Sequence, residues 1–131
     1  MSLGDSSTEL GKVRRLGWGR EGGEHWITER VTSAALLLLG SWLIASLVLL
    51  PDLSPRTFVE WLREPSGFVP MLLFVLTAFR HGLDGMKVVV DDYVQDEGNR
   101  FALNLVLLFA AVAGVSLAVF ALVRIAFGGA A

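Results

Sequence analysis

The chain has 131 residues, of which 53% are hydrophobic and only 18% are charged, and it contains no cysteine. Soluble domains carry about 25% charged residues, so this composition favours a membrane protein. A net charge of −2 gives no basis for nucleic-acid binding. The lack of cysteine excludes disulfides, thiolate metal ligands and iron–sulfur clusters held by this chain.

The N-terminal segment differs in composition from the rest. Residues 1–23 are rich in glycine and serine and have no hydrophobic periodicity. We expect them to form a mobile polar arm. A single membrane domain then follows over residues 24–131.

Three apolar stretches predict an all-α integral membrane protein with three transmembrane helices, at about residues 31–50, 68–90 and 101–127. About 20 helical residues cross a hydrocarbon core of about 30 Å. The second stretch reaches that length only if Arg80, His81 and Asp84 lie inside it. The alternative for this stretch is a short buried helix that does not span the membrane.

The first loop contains "SPRTFVEWL". Ser54 suits the N-cap of a helix and Pro55 its first position. Phe58, Trp61 and Leu62 are spaced three and one residues apart, which places them on one face. This pattern predicts a short amphipathic helix along the membrane interface.

Basic residues set the expected orientation. The side that holds the N-terminal arm and the second loop carries seven Lys and Arg residues, and the opposite side carries three. The positive-inside rule therefore places the N-terminus in the cytoplasm. Arg30 and Tyr93 then lie at the same, cytoplasmic, face.

The third stretch has small residues at four-residue spacing, namely Ala110, Gly114 and Ala118. Small residues in this pattern let helices approach closely. We interpret them as packing positions.

Ionisable residues inside a membrane usually mark function, because the bilayer penalises them. His81, Gly85, Val88 and Asp92 share one face of the second helix. Gly85 leaves room for a flat group beside the imidazole, and a neutral imidazole is a good axial ligand for heme iron. The alternative is a histidine that hydrogen-bonds a neighbouring helix.

The other polar residues of this helix have simpler interpretations as well. Tyr93 lies about 18 Å beyond His81 along the helix axis, where it is either an interfacial belt residue or, with Asp92 beside it, a hydrogen-bonding group for a polar ligand. Arg80 and Asp84 are four residues apart and are expected to neutralise each other. The alternative interpretation is that Asp84 sets the tautomer of His81 indirectly.

The stretch "HGLDGMKVVVDDYV" resembles the second-helix signature of the hydrophobic membrane-anchor (D) subunit of succinate dehydrogenase, respiratory complex II. In that family a histidine is followed by a glycine four residues later, an aliphatic run and Asp-Tyr. Here these are His81, Gly85, Val88–Val90, Asp92 and Tyr93. The first-helix segment "EHWITERVTSAAL" is also similar to the family pattern, and the resemblance covers about residues 19–127.

The resemblance implies roles for five residues. His81 matches the axial ligand of heme b, a cofactor shared with a partner anchor subunit that supplies the other ligand. Arg30 matches a residue near the heme propionates, and His25 is expected to assist there. Tyr93, with Asp92 beside it, matches the tyrosine that binds ubiquinone.

The resemblance also implies partners and a location. We expect a second, cytochrome b-type anchor subunit, an iron–sulfur subunit and a flavoprotein subunit that oxidises succinate in the tricarboxylic acid cycle. The chain is then not an enzyme by itself. The acidic residues before the first span are unlike a transit peptide, which favours a bacterial inner membrane over a mitochondrial one.

There are three alternatives to this function. The anchor of a quinol:fumarate reductase runs the reverse reaction and has the same architecture. A heme-free structural or assembly protein of the membrane would bind no cofactor. A small multidrug-type transporter is disfavoured, because the first span contains no carboxylate.

Overall fold

The computed structural model describes residues 16–128, and it describes their side chains except for residues 16–22 and His25. Over this range the chain forms four α-helices and no strand: α1 Leu16–Leu49, α2 Pro55–Arg63, α3 Pro65–Tyr93 and α4 Glu97–Phe127. Contacts divide the chain into an N-terminal unit that ends at Val31 and a second unit that begins at Thr32. The arm predicted at residues 1–23 overlaps α1 from Leu16 onward, and its residues 1–15 lie outside the described range.

Three of the helical segments are long and apolar enough to cross a membrane: Trp26–Leu49, Pro65–Tyr93 and Glu97–Phe127. The shortest of them has 24 residues, and at about 1.5 Å per residue it exceeds a hydrocarbon core of about 30 Å. Large apolar side chains are exposed along all three, as on Val48, Val89 and Phe109. The predicted all-α membrane fold with three spans is therefore confirmed.

The second span is one continuous helix of 29 residues. Arg80, His81 and Asp84 all lie within it, so the alternative of a short buried helix was wrong. Pro65 stands at its start, where the missing N–H costs no hydrogen bond. The helix ends at Tyr93, and the N–H of Val94 donates to the carbonyl of Val90.

Helix α2 begins as predicted. Ser54 is its N-cap and Pro55 is its first residue, and the Ser54 hydroxyl accepts from the amide of Thr57 at 3.3 Å. Leu62 is buried, and the ring of Trp61 stacks on Trp42 of α1 with 5.6 Å between centroids. The apolar stripe of α2 thus contacts other parts of the protein, and its position along the membrane interface stays a prediction.

The contact between α3 and α4 depends on a glycine. A Cβ atom added at Gly114 would lie only 2.6 Å from Cε1 of Phe79, so the absence of a side chain lets the phenylalanine ring pack directly against the α4 backbone. The prediction that the small residues of α4 serve helix packing is confirmed at this position.

Arg63, the last residue of α2, connects the first loop to the end of α4. Its Nε donates to the carbonyl of Ile125 at 3.3 Å, and its Nη2 donates to the carbonyl of Gly128 at 3.1 Å. Ile125 lies in the last turn of α4, where carbonyls lack partners within the helix and carry the negative end of the helix dipole, and Gly128 is the C-cap that follows. The α2–α3 corner and the C-terminal end of α4 therefore lie together, at the end of the second unit away from Tyr93.

Candidate functional site

The imidazole of His81 meets a hydroxyl from another helix. His81 is partly buried on α3, and its Nδ1 lies 3.0 Å from Oγ1 of Thr32 on α1. Both residues belong to the second unit. Because the hydroxyl engages Nδ1, the other ring nitrogen, Nε2, is left for a further partner.

Space lies beside this histidine, one turn along α3. A Cβ atom added at Gly85 would meet no atom within 4 Å. The prediction that Gly85 leaves room on the His81 face is confirmed. The backbone of α3 is thus open to the approach of a flat group on this side.

The two charges next to His81 neutralise each other. Nε of Arg80 lies 2.8 Å from Oδ2 of Asp84, and the Asp84 carboxylate is buried while the arginine is exposed. The predicted pair is confirmed. The alternative role of Asp84, an indirect influence on the His81 tautomer, stays a prediction; the residue in contact with Nδ1 is Thr32.

The C-terminal end of α3 carries the other predicted residues. Tyr93 is 82% exposed, and Asp92 is exposed as well. Within the described range no side chain hydrogen-bonds to the Tyr93 hydroxyl. An exposed phenol beside a carboxylate can therefore contact a ligand or a partner surface from outside the chain.

Asp91 has a partner that the sequence did not suggest. Nδ2 of Asn104 on α4 donates to Oδ1 of Asp91 at 3.0 Å. The other amide atom, Oδ1 of Asn104, is buried and has no hydrogen-bond partner among the described residues. The sequence feature that could have indicated this contact is the position of Asn104, a polar amide in the apolar stretch 101–127.

Arg30 belongs to the N-terminal unit. Its guanidinium carbon lies 5.0 Å from the centroid of the Trp26 ring, a cation–π contact that holds the charge near the start of the first span. The side chain of His25 lies outside the described residues, so its predicted role at the heme propionates stays a prediction.

An apolar cleft of about 470 Å³ lies between α3 and α4. Small residues leave it open: Ala78 and Gly82 on α3, and Ala110 and Ala111 on α4. It has an apolar lining and is distinct from the Thr32–His81 contact.

Three apolar spans, with a histidine and an ion pair embedded in the second, define a multi-pass helical membrane protein. The chain belongs to the succinate dehydrogenase/fumarate reductase transmembrane subunit family, whose model matches residues 5–123.

Individual relatives agree with this family. The chain is similar to the succinate dehydrogenase hydrophobic membrane anchor subunit of Rickettsia bellii, at 29% identity over 69% of this chain and 72% of the relative. The subunit of the same name from Rickettsia conorii is 31% identical over 69% of this chain and 72% of the relative. That of Paracoccus denitrificans is 26% identical over 86% of this chain and 87% of the relative. The resemblance predicted from the two motifs is confirmed, and the chain is a membrane anchor subunit of the succinate dehydrogenase type.

Proposed function

We propose that this anchor subunit helps to bind heme b and ubiquinone in a succinate:ubiquinone oxidoreductase, and that it docks the flavoprotein and iron–sulfur subunits. The observation that carries the proposal is the embedded imidazole of His81. Its Nδ1 is engaged by Thr32 and its Nε2 remains for a ligand bond. The family to which the chain belongs supports the same function.

The residues around His81 fit a heme. An axial ligand needs a neutral imidazole with one nitrogen held and the other directed at iron, and the open turn at Gly85 leaves space beside it. In the described part of the chain no three His, Asp or Glu side chains converge as a metal-binding group, but heme requires a single axial ligand from this subunit. The partner anchor subunit would supply the second ligand. When bound, heme b supplies a one-electron carrier inside the membrane.

Arg30 and His25 are proposed to serve the heme propionates. Arg30 is a permanent cation near the start of the first span, and guanidinium groups pair well with carboxylates. Its contact with Trp26 leaves its N–H groups available in the plane of the guanidinium, since a cation–π contact uses only the face.

Tyr93 is proposed to donate a hydrogen bond from its hydroxyl to a carbonyl oxygen of ubiquinone, with Asp92 beside it. The exposure of Tyr93 at the end of the second span supports this role. By the positive-inside rule this end faces the cytoplasm, where electrons from succinate would arrive through the iron–sulfur subunit. The flavin, the clusters and the succinate site belong to partner subunits, so this chain is non-catalytic on its own.

The proposed location is a bacterial inner membrane. The chain is a multi-pass membrane protein, and its relatives from Rickettsia and Paracoccus support a bacterial setting. The anchor of a quinol:fumarate reductase remains the second candidate, because the family description covers both reactions.

A reduced-minus-oxidised spectrum of the purified complex tests the proposal. A b-type α-band together with succinate-driven ubiquinone reduction is the expected result. A complex with no heme would instead support a structural role. A complex that reduces fumarate with quinol much faster than it oxidises succinate would support the second candidate.

A further inference from the structure

The hydroxyl that contacts His81 comes from a distant part of the sequence. Thr32 and His81 are 49 residues apart, and their contact is partly buried with 3.0 Å between Oγ1 and Nδ1. A hydroxyl can both donate and accept, so this hydrogen bond forms with either tautomer of a neutral imidazole.

The tautomer is decided by what Nε2 binds. A nitrogen that gives its lone pair to iron carries no proton, so the proton of the neutral ring lies on Nδ1 and is donated to Thr32. Acceptors in this position fix the ring orientation and raise the basicity of the ligand. We propose that Thr32 is a positioning residue for His81, whose hydroxyl accepts the Nδ1 proton, sets the plane of the ring and strengthens His81 as a ligand to heme iron. This inference rests on the proposed heme-binding function.

Other groups near His81 do not serve this purpose. Asp84, the carboxylate closest in sequence that could accept the proton, is paired with Arg80 at 2.8 Å. Gly85 has no side chain, and the space beside its backbone is open, since a Cβ atom added there would meet nothing within 4 Å. The hydrogen bond with Thr32 is therefore the contact that we expect to orient the imidazole.

Threonine suits this role better than a flexible side chain would. Its branched Cβ restricts χ1, so the hydroxyl is held in few positions. Because the hydroxyl polarises the N–H bond, the imidazole donates more electron density to iron. A stronger donor stabilises oxidised iron more than reduced iron, so loss of the hydroxyl should raise the heme midpoint potential.

The experiment uses the whole purified complex with four single substitutions in this chain. Thr32→Val keeps the shape and removes the hydroxyl, and Thr32→Ser keeps the hydroxyl. Ser41→Ala is the matched control, because Ser41 also lies on α1 but donates only to Leu37 of its own helix, at 2.7 Å. His81→Ala tests the ligand itself. The measurements are the heme midpoint potential by redox titration and the electron paramagnetic resonance g values, which depend on the orientation of the axial imidazole.

We expect Thr32→Val to raise the midpoint potential and to shift or broaden the g values, with Thr32→Ser and Ser41→Ala like the wild type. If Thr32→Val does not assemble, Thr32→Ala carries the same expectation.

Wild-type potential and g values in the variants without the hydroxyl would overturn the role of Thr32. Equal shifts in Thr32→Val and Thr32→Ser would also overturn it, because they would indicate an effect of packing. If His81→Ala keeps the wild-type heme spectrum, the proposed heme ligation itself fails. If His81→Ala loses that spectrum while Thr32→Val is unchanged, only the positioning role is refuted.

Discussion

Oδ2 of the Asp84 carboxylate forms an ion pair with Nε of Arg80 at 2.8 Å, and the carboxylate side chain is only 6% exposed while the arginine side chain is 59% exposed. The two residues are one helical turn apart in the second span. A buried carboxylate in a spanning helix is tolerated here because a cation from the preceding turn pairs with it.

Removal of one partner should therefore be costly. Arg80→Leu leaves a buried charge without its cation and is expected to destabilise the complex by about 1–3 kcal/mol. The double substitution Arg80→Leu with Asp84→Leu should recover most of that loss, because no unpaired charge remains. Thermal unfolding of the purified complex measures both effects.

The exposed pair Arg56–Glu60 on α2 is the matched control, with the same i, i+4 spacing and 2.9 Å between its charged atoms. Arg56→Leu should leave the thermal unfolding midpoint close to that of the wild type, because both side chains of this pair are exposed. Equal losses at the two pairs, or a double variant no more stable than Arg80→Leu, would show that burial of Asp84 has no energetic role.

Gly114 is a second position where a small change should matter. Gly114→Ala places a Cβ atom against the ring of Phe79 and is expected to cost about 1–3 kcal/mol through overpacking. Gly82→Ala, where a Cβ atom meets nothing within 4 Å, should be neutral or stabilise by up to about 1 kcal/mol through helix propensity. Combining Gly114→Ala with Phe79→Leu should restore stability. Equal thermal unfolding midpoints for the two glycine variants would contradict the close approach of α3 and α4.

The start of α2 should respond to acid. Hydrogen bonds from the Ser54 hydroxyl, the Ser54 amide and the Thr57 hydroxyl hold the pKa of Asp52 below its ordinary value of 3.8. A carboxylate with a lowered pKa stabilises the folded loop above pH 4 and loses that contribution as the pH falls through the folded-state value. Amide hydrogen exchange at Ser54 and Thr57 should therefore be faster in Asp52→Ala than in the wild type at pH 7. The difference in exchange rate should narrow as the pH falls through the lowered folded-state pKa of Asp52, below 3.8. A difference independent of pH would rule out the carboxylate as its source.

Tyr93→Phe separates a quinone role from a membrane-interface role. The substitution keeps the ring and removes only the hydroxyl. Loss of a hydrogen bond to an oxygen that gains negative charge is expected to slow ubiquinone reduction by about 10²–10³-fold, equivalent to about 2.7–4 kcal/mol. Succinate oxidation with an artificial acceptor that bypasses quinone should be unchanged, because partner subunits perform it. A wild-type rate and affinity for ubiquinone would leave Tyr93 as an interfacial anchor.

Local patterns predicted much of the structure correctly. The three spans follow from apolar runs of sufficient length, and the start of α2 follows from Ser54 and Pro55. The Arg80–Asp84 pair follows from helical spacing alone. Each of these features depends on residues close together in the chain, so a single sequence is enough to predict it.

Contacts between helices were not predictable in the same way. The bond between Thr32 and His81 and the bond between Asn104 and Asp91 depend on how helices cross and rotate, which hydrophobic periodicity does not determine. Helix α4 also begins before the predicted span, at Glu97, because Asp96 caps it there and accepts a hydrogen bond from the amide of Asn99.

The reduced-minus-oxidised spectrum of the His81→Ala complex tests the central claim most directly. Met86→Leu is the matched control, because methionine is another heme-ligating residue type and Met86 lies on the same helix. The proposed ligation predicts that His81→Ala loses or strongly alters the b-type α-band while Met86→Leu keeps it. An assembled His81→Ala complex with the wild-type α-band and wild-type heme content would contradict it.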